Sequence, residues 1–150
     1  MLNIKRTNSD DTDFQKLVLE LDKDLAVRNG DSNDFFAQYN KIDSLNHVVV
    51  AYVDQVPVGC GSIKEYEVDS MEVKRMYVLP ESRGTGVSVA VLKELEDWAM
   101  ALGYKKCILE TGLKMPEAIG LYTKSGYEKI PNYGQYAGVE ESVCFEKKLA

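Results

Sequence analysis

The run Arg83-Gly84-Thr85-Gly86-Val87-Ser88 places two glycines one residue apart, between a β-branched segment and a long helical one. Glycine lets the backbone turn sharply and leaves room for a ligand to sit on bare N–H groups. The first N–H groups of a helix have no internal partners, and the helix dipole adds partial positive charge there. Phosphate oxygens suit such a site, and no acidic side chain follows Glu81 in the loop to repel them. The loop lacks the G-K-[ST] ending of a nucleoside-triphosphate P-loop. Val89 stands where a dinucleotide fingerprint has its third glycine or alanine. Spacing alone therefore indicates a phosphate site, and it is also compatible with a plain glycine-rich turn.

The elements around the loop are legible from periodicity. Leu2 to Arg6 reads as a first strand, and Asp11, Thr12 and Asp13 are N-cap residues for the stripe Phe14, Leu17, Val18, Leu21 and Leu25. Asn29-Gly30 closes that helix, and Asp31 to Tyr39 predicts a short second one. His47 to Val53, Val56 to Tyr66 and Met71 to Val78 are three strands joined by tight turns at Asp54-Gln55 and Asp69-Ser70, an antiparallel meander. Gly59 and Gly61 mark a place where the middle strand twists or bulges. Beyond the loop, Val91, Leu95, Trp98 and Leu102 fall on one helical face and Gly103 ends it. Cys107 to Leu109 is then a strand parallel to the one before the loop, because a helix crosses between them. Pro116 opens a further helix that Ser125-Gly126 stops. Tyr127 to Ile130 and Ser142 to Lys148 are the last strands.

With these elements in place, Arg83 to Ser88 resembles the R/Q-x-x-G-x-G/A motif of the GNAT superfamily (Gcn5-related N-acetyltransferases). Lys74-Arg75-Met76-Tyr77-Val78-Leu79-Pro80-Glu81 looks like the strand that leads into it. Ala118-Ile119-Gly120-Leu121-Tyr122-Thr123-Lys124-Ser125-Gly126-Tyr127 resembles the family's A-x-x-L-Y-x-K-x-G-Y/F signature. The likeness covers about residues 47 to 148, and Ser88 departs from the usual glycine or alanine. It implies an α/β GNAT fold, with a mixed twisted central sheet, an antiparallel N-terminal meander, splayed parallel central strands and flanking helices. It implies acetyl-CoA as acyl donor and no metal. The backbone of Arg83, Gly84, Thr85, Gly86, Val87 and Ser88 would cradle the diphosphate. The strand Met76, Tyr77 and Val78 would receive the pantetheine arm as an added strand.

The same resemblance assigns the catalytic groups. Tyr122 occupies the position of the general acid that protonates the departing thiolate, although a tyrosine at that spacing also reads as core. An attacking amine with a pKa of about 10.4 must lose its proton, at a cost of roughly 4–5 kcal/mol at neutral pH. A general base is therefore useful. Glu72 matches the spacing of the glutamate used in the histone acetyltransferase branch, four residues before Met76 and on the same strand face unless a bulge intervenes. It also reads as a salt-bridged strand residue beside Lys74. Glu65 and Glu110 are the fallbacks. Tyr133 and Tyr136 are candidates for an aromatic wall on the acceptor side, and His47 for a structural role.

Length and composition bound the rest. A chain of 150 residues is expected to form one domain spanning 1–150. The net charge of −6 argues against a nucleic-acid surface, which needs clustered Lys and Arg, and leans weakly towards a cationic acceptor. Cys60, Cys107 and Cys144 each sit in an apolar segment without C-x-x-C spacing, which fits reduced thiols in the cytoplasm. The apolar runs are too short to span a membrane. The acceptor is a small-molecule or peptide amine, with homodimers common in the family. A non-catalytic acyl-CoA-binding module is the alternative, and it would keep the loop without needing Tyr122 or Glu72.

Overall fold

The run Val48-Val49-Val50-Ala51 is apolar on both faces, as a strand covered on both sides must be. It lies in β2 (His47–Val53), between β1 (Leu2–Thr7) and β3 (Val56–Glu67), and all four residues are fully buried. β4 (Ser70–Val78) completes the antiparallel meander. Asp54 and Gln55 join β2 to β3 with φ of 50° and 72°, the backbone of a hairpin turn whose twist matches the strands. β5 (Lys106–Gly112) pairs parallel to β4, and β7 (Ser142–Lys148) and β6 (Glu128–Ile130) follow. The seven strands form one mixed sheet in the order β1-β2-β3-β4-β5-β7-β6. The computed structural model describes residues 1–30 and 45–149. The short helix expected over Asp31 to Tyr39 lies outside the described residues.

Helices cover both faces. α1 (Thr12–Asn29), capped by the Asp11 carboxylate on the Phe14 N–H, packs Phe14, Leu17, Val18 and Leu21 against Val48, Val50, Cys60 and Tyr77. α2 (Val87–Ala101) and α3 (Pro116–Lys124) lie on the other face. α2 begins directly after Gly86, so Val87 and Ser88 belong to its first turn. Its Val87, Val91 and Leu95 press on the sheet where Gly59 and Gly61 lack side chains. A Cβ on Gly61 would stand 2.5 Å from Met76 Sδ and 2.8 Å from Leu95 Cδ1. Those glycines therefore serve close helix–sheet approach as well as strand irregularity.

Two departures from regular sheet geometry shape the middle of the molecule. Cys60 pairs with Tyr77 and Ser62 with Lys74, so Arg75 and Met76 together oppose the single residue Gly61. This is a β-bulge in β4, and Arg75 at its centre has φ of 59°. Secondly, β4 and β5 pair only from Ser70↔Lys106 to Glu72↔Ile108 and then diverge. Beyond that point β4 continues along β3 and β5 along β7. Each presents an open edge to the gap between them.

Candidate active site

The bulge decides which side chains face which side of the gap. Met71 and Val73 point into the core under α2 and α3, and beyond the bulge Met76 and Val78 do the same. Tyr77 packs under α1, and Arg75 reaches Asp22 of α1. Glu72 and Lys74, alternating with Met71 and Val73, therefore face α1. The expectation that Glu72 shares a face with Met76 fails, because the extra residue at Arg75 reverses the alternation between them.

The glycine loop has the geometry the sequence requires of an anion site. Gly84 and Gly86 have φ of 76° and 88°, and nothing lies within 4 Å of a Cβ built on either. Their role is backbone conformation, with open space beside it. Gly86 is the N-cap of α2; no side chain bonds the N–H groups of that first turn and no acidic residue lies in it. Thr85 Oγ1 donates to the Ser82 carbonyl at 2.5 Å and ties the loop to itself. Arg83 Nε donates to the Val78 carbonyl at 3.0 Å, and its guanidinium stands 5.7 Å from the Tyr77 ring centre. The Arg83 side chain thus braces the loop against the strand end and occupies one carbonyl that an added strand could have used.

A cleft of about 460 Å³ runs from Arg83, Gly84 and Ser88 past Met76 and Val78 to Tyr122. A smaller cavity of about 110 Å³ continues it, walled by Glu72, Lys74, Arg75, Glu110 and Tyr136. Met76, Met115, Ala118 and Tyr122 line both, so the two are contiguous through the gap between β4 and β5. An open first helical turn, two unencumbered glycines and a long cleft together fit a diphosphate carrying an extended arm. Among the described residues no group of three or more His, Cys, Asp or Glu is placed to hold a metal.

The titratable groups of the smaller cavity differ in state. Burial pushes the Glu110 carboxyl up to about 7, against a hydrogen bond from Ser142 Oγ at 2.7 Å and with Glu72 adding like charge. Glu72 accepts from the Tyr133 hydroxyl at 2.7 Å, and Lys74 Nζ lies 3.8 Å from its other oxygen. Burial lowers the Lys74 pKa. Tyr122 is 6% exposed, packed edge-on against Tyr127, and burial first and Glu110 second raise its pKa, so its hydroxyl holds its proton at neutral pH. Tyr133 and Tyr136 pack at right angles to each other, and Tyr136 walls the smaller cavity.

The remaining candidates sit elsewhere. Glu65 accepts from the Tyr104 hydroxyl and lines neither cavity. His47 stacks edge-on against Trp98 at 4.8 Å, with Arg6 over the same indole at 4.9 Å, a packing role. Cys60, Cys107 and Cys144 are buried free thiols. Arg75 and Ser142 were not singled out by sequence: a Lys-Arg pair in a strand reads as solvated charge, and a lone serine opening a strand carries no signal.

The fold and cleft agree with the relationships of the chain. The acetyltransferase (GNAT) family model matches residues 12–127, and the chain belongs to that family. It is 39% identical over 93 residues to the IAA acetyltransferase of Azospirillum brasilense, a match covering 61% of each protein. The chain thus spans less than two thirds of that relative's length. A protein of Klebsiella pneumoniae, provisionally described as an acyl-CoA N-acyltransferase, superposes with a TM-score of 0.83 at 28% identity over 100% of this chain and 99% of its own. A GNAT family acetyltransferase from Elizabethkingia anophelis, solved with acetyl-CoA bound, shares the fold with a TM-score of 0.72 at 17% identity, covering 99% and 98% of the two chains. Among the described residues no helix is long and apolar enough to cross a membrane.

Proposed function

We propose that the chain transfers the acetyl group of acetyl-CoA to a primary amine by direct attack within a ternary complex. The observation that carries the reading is the continuity of the cleft. It joins an open helix N-terminus at Gly86 to a buried phenol at Tyr122 and a carboxyl of raised pKa at Glu110. Acetyl-CoA supplies the activated acyl group as a thioester. The main-chain amides from Arg83 to Ser88 hold its diphosphate, each charge-assisted bond contributing on the order of 1.5–3 kcal/mol. The edge of β4 at Met76, Tyr77 and Val78 aligns its arm.

Glu110 takes the proton of the incoming ammonium, directly or through one water, since a base with pKa near the working pH is the most effective. Glu72, tied to Tyr133 and Lys74, stands beside it as a second carboxylate that attracts the cationic acceptor and helps hold the Glu110 pKa up. Tyr122, whose hydroxyl holds its proton at neutral pH, donates that proton to the departing thiolate. The three cysteines take no part, because each is buried and burial raises its pKa.

An acetyl-CoA-dependent screen across an amine panel, followed by release of free thiol, tests the reading. Turnover with at least one amine, lost in the double variant Tyr122→Phe/Glu110→Gln, supports it. A protein that binds acetyl-CoA but releases no thiol with any amine is a binding module.

A further inference from the structure

We infer that the acceptor carries a carboxylate as well as its amine, and that the guanidinium of Arg75 holds that carboxylate on the α1 side of the cleft. The inference takes the reaction type from the acetyl-transfer reading, whereas the anion subsite stands on Arg75 itself. The Arg75 side chain is 2% exposed, and its Nη2 donates to Asp22 at 2.7 Å. Its Nε and Nη1 are buried and without hydrogen-bond partners among the described residues. A buried charged donor left unpaired is among the costlier defects a fold can carry. Asp22 lies half exposed on the helix surface and answers only one side of the charge.

The backbone points the same way. Arg75 occupies the left-handed side of backbone space at φ of 59°, where a bulge commonly places glycine. Strain of this kind persists where surrounding structure enforces it and concentrates at ligand sites. The bulge turns the Arg75 side chain towards α1, and the residue lines the same 110 Å³ cavity as Glu72, Lys74 and Glu110. Charges of both signs therefore meet in one small cavity. Glu110 and Glu72 suit the ammonium end of a ligand, and the unpaired N–H groups of Arg75 suit its anionic end. A small amino carboxylic acid presents both.

Matched pairs of acceptors test this without any mutation: an amino acid and its decarboxylated amine, such as phenylalanine with phenethylamine or β-alanine with ethylamine. The wild-type protein is expected to favour the carboxylate-bearing member at least tenfold in kcat/KM. That ratio is expected to fall at least tenfold in Arg75→Met and by less in Arg75→Lys, which keeps the charge but not the planar donor set. Equal kcat/KM within every pair, or a preference unchanged in Arg75→Met, overturns the inference while leaving acetyl transfer standing. Calorimetric titration of the CoA-saturated protein with the same amino acids and with inorganic phosphate separates the two readings. Amino acid binding that Arg75→Met abolishes supports the subsite even if no acceptor turns over, in which case acetyl transfer fails alone. Binding of phosphate only, or of nothing, overturns the subsite.

Discussion

A carboxyl group buried next to a second carboxylate keeps its proton to higher pH than one in water, and Glu110 follows that rule with its pKa pushed up to about 7. Activity and stability then respond to pH in opposite senses. As proton acceptor Glu110 must be ionised, so kcat/KM climbs with pH on a limb near 7. In the folded chain its neutral form is favoured relative to the unfolded chain. Its contribution to stability is therefore present below about 4.5 and is lost as pH rises through about 7. Glu110→Gln is expected to lower turnover at least tenfold and to erase that limb. It should also raise stability at pH 8 by on the order of 2–3 kcal/mol, with little change near pH 4. Its amide oxygen can still accept from Ser142 Oγ. A pH–rate profile and thermal melts at the two pH values check both effects. For Tyr122→Phe the expected outcome is at least a tenfold loss of turnover with acetyl-CoA affinity little changed. Unaltered turnover removes that hydroxyl from the chemistry.

At the scale of elements, the central event is the bulge in β4 and the glycine opposite it. Gly61 leaves space that Met76 Sδ and Leu95 Cδ1 fill, so Gly61→Ala must displace α2 or the cleft-lining Met76. The expected cost is about 1–3 kcal/mol, read as a lowered melting temperature, with acetyl-CoA binding weakened because Met76 shifts. Much of this level was legible in the sequence. The β-branched runs gave the meander, the apolar stripes gave α1 and α2, and Pro116 and Gly126 bracketed α3. The bulge was not legible, because Arg75 is the residue there and a positive φ at arginine leaves no compositional trace. That one residue reversed the relation of Glu72 to Met76. The raised pKa of Glu110 was equally hidden, since it arises from burial that only the assembled sheet creates and from the like charge of Glu72 on another strand. Glu110 could be named as a candidate from residue type and strand position, but its environment only exists once β5 leaves β4 and meets β7.

For the molecule as a whole, the sheet separates two helical layers, and among the described residues β4 and β5 part between them. α2 and α3 lie on one face and α1 on the other, and the cleft from the glycine loop meets the cavity of Glu72, Arg75 and Glu110 where β4 parts from β5, each lined by residues of α1 and of α3. The proposed acetyl transfer depends on the loop binding the anionic end of acetyl-CoA although the chain itself carries a net charge of −6. Local main-chain dipoles would then have to outweigh the general field, which they can do because the loop amides would lie against the diphosphate while distant charges are screened. A calorimetric titration of coenzyme A into the wild-type protein and into Gly86→Leu tests that claim most directly. Saturable uptake near one molecule per chain, weakened at least tenfold when leucine must adopt the φ of 88° at position 86, is the predicted result. No uptake by the wild type, or uptake that the leucine variant retains in full, would contradict it.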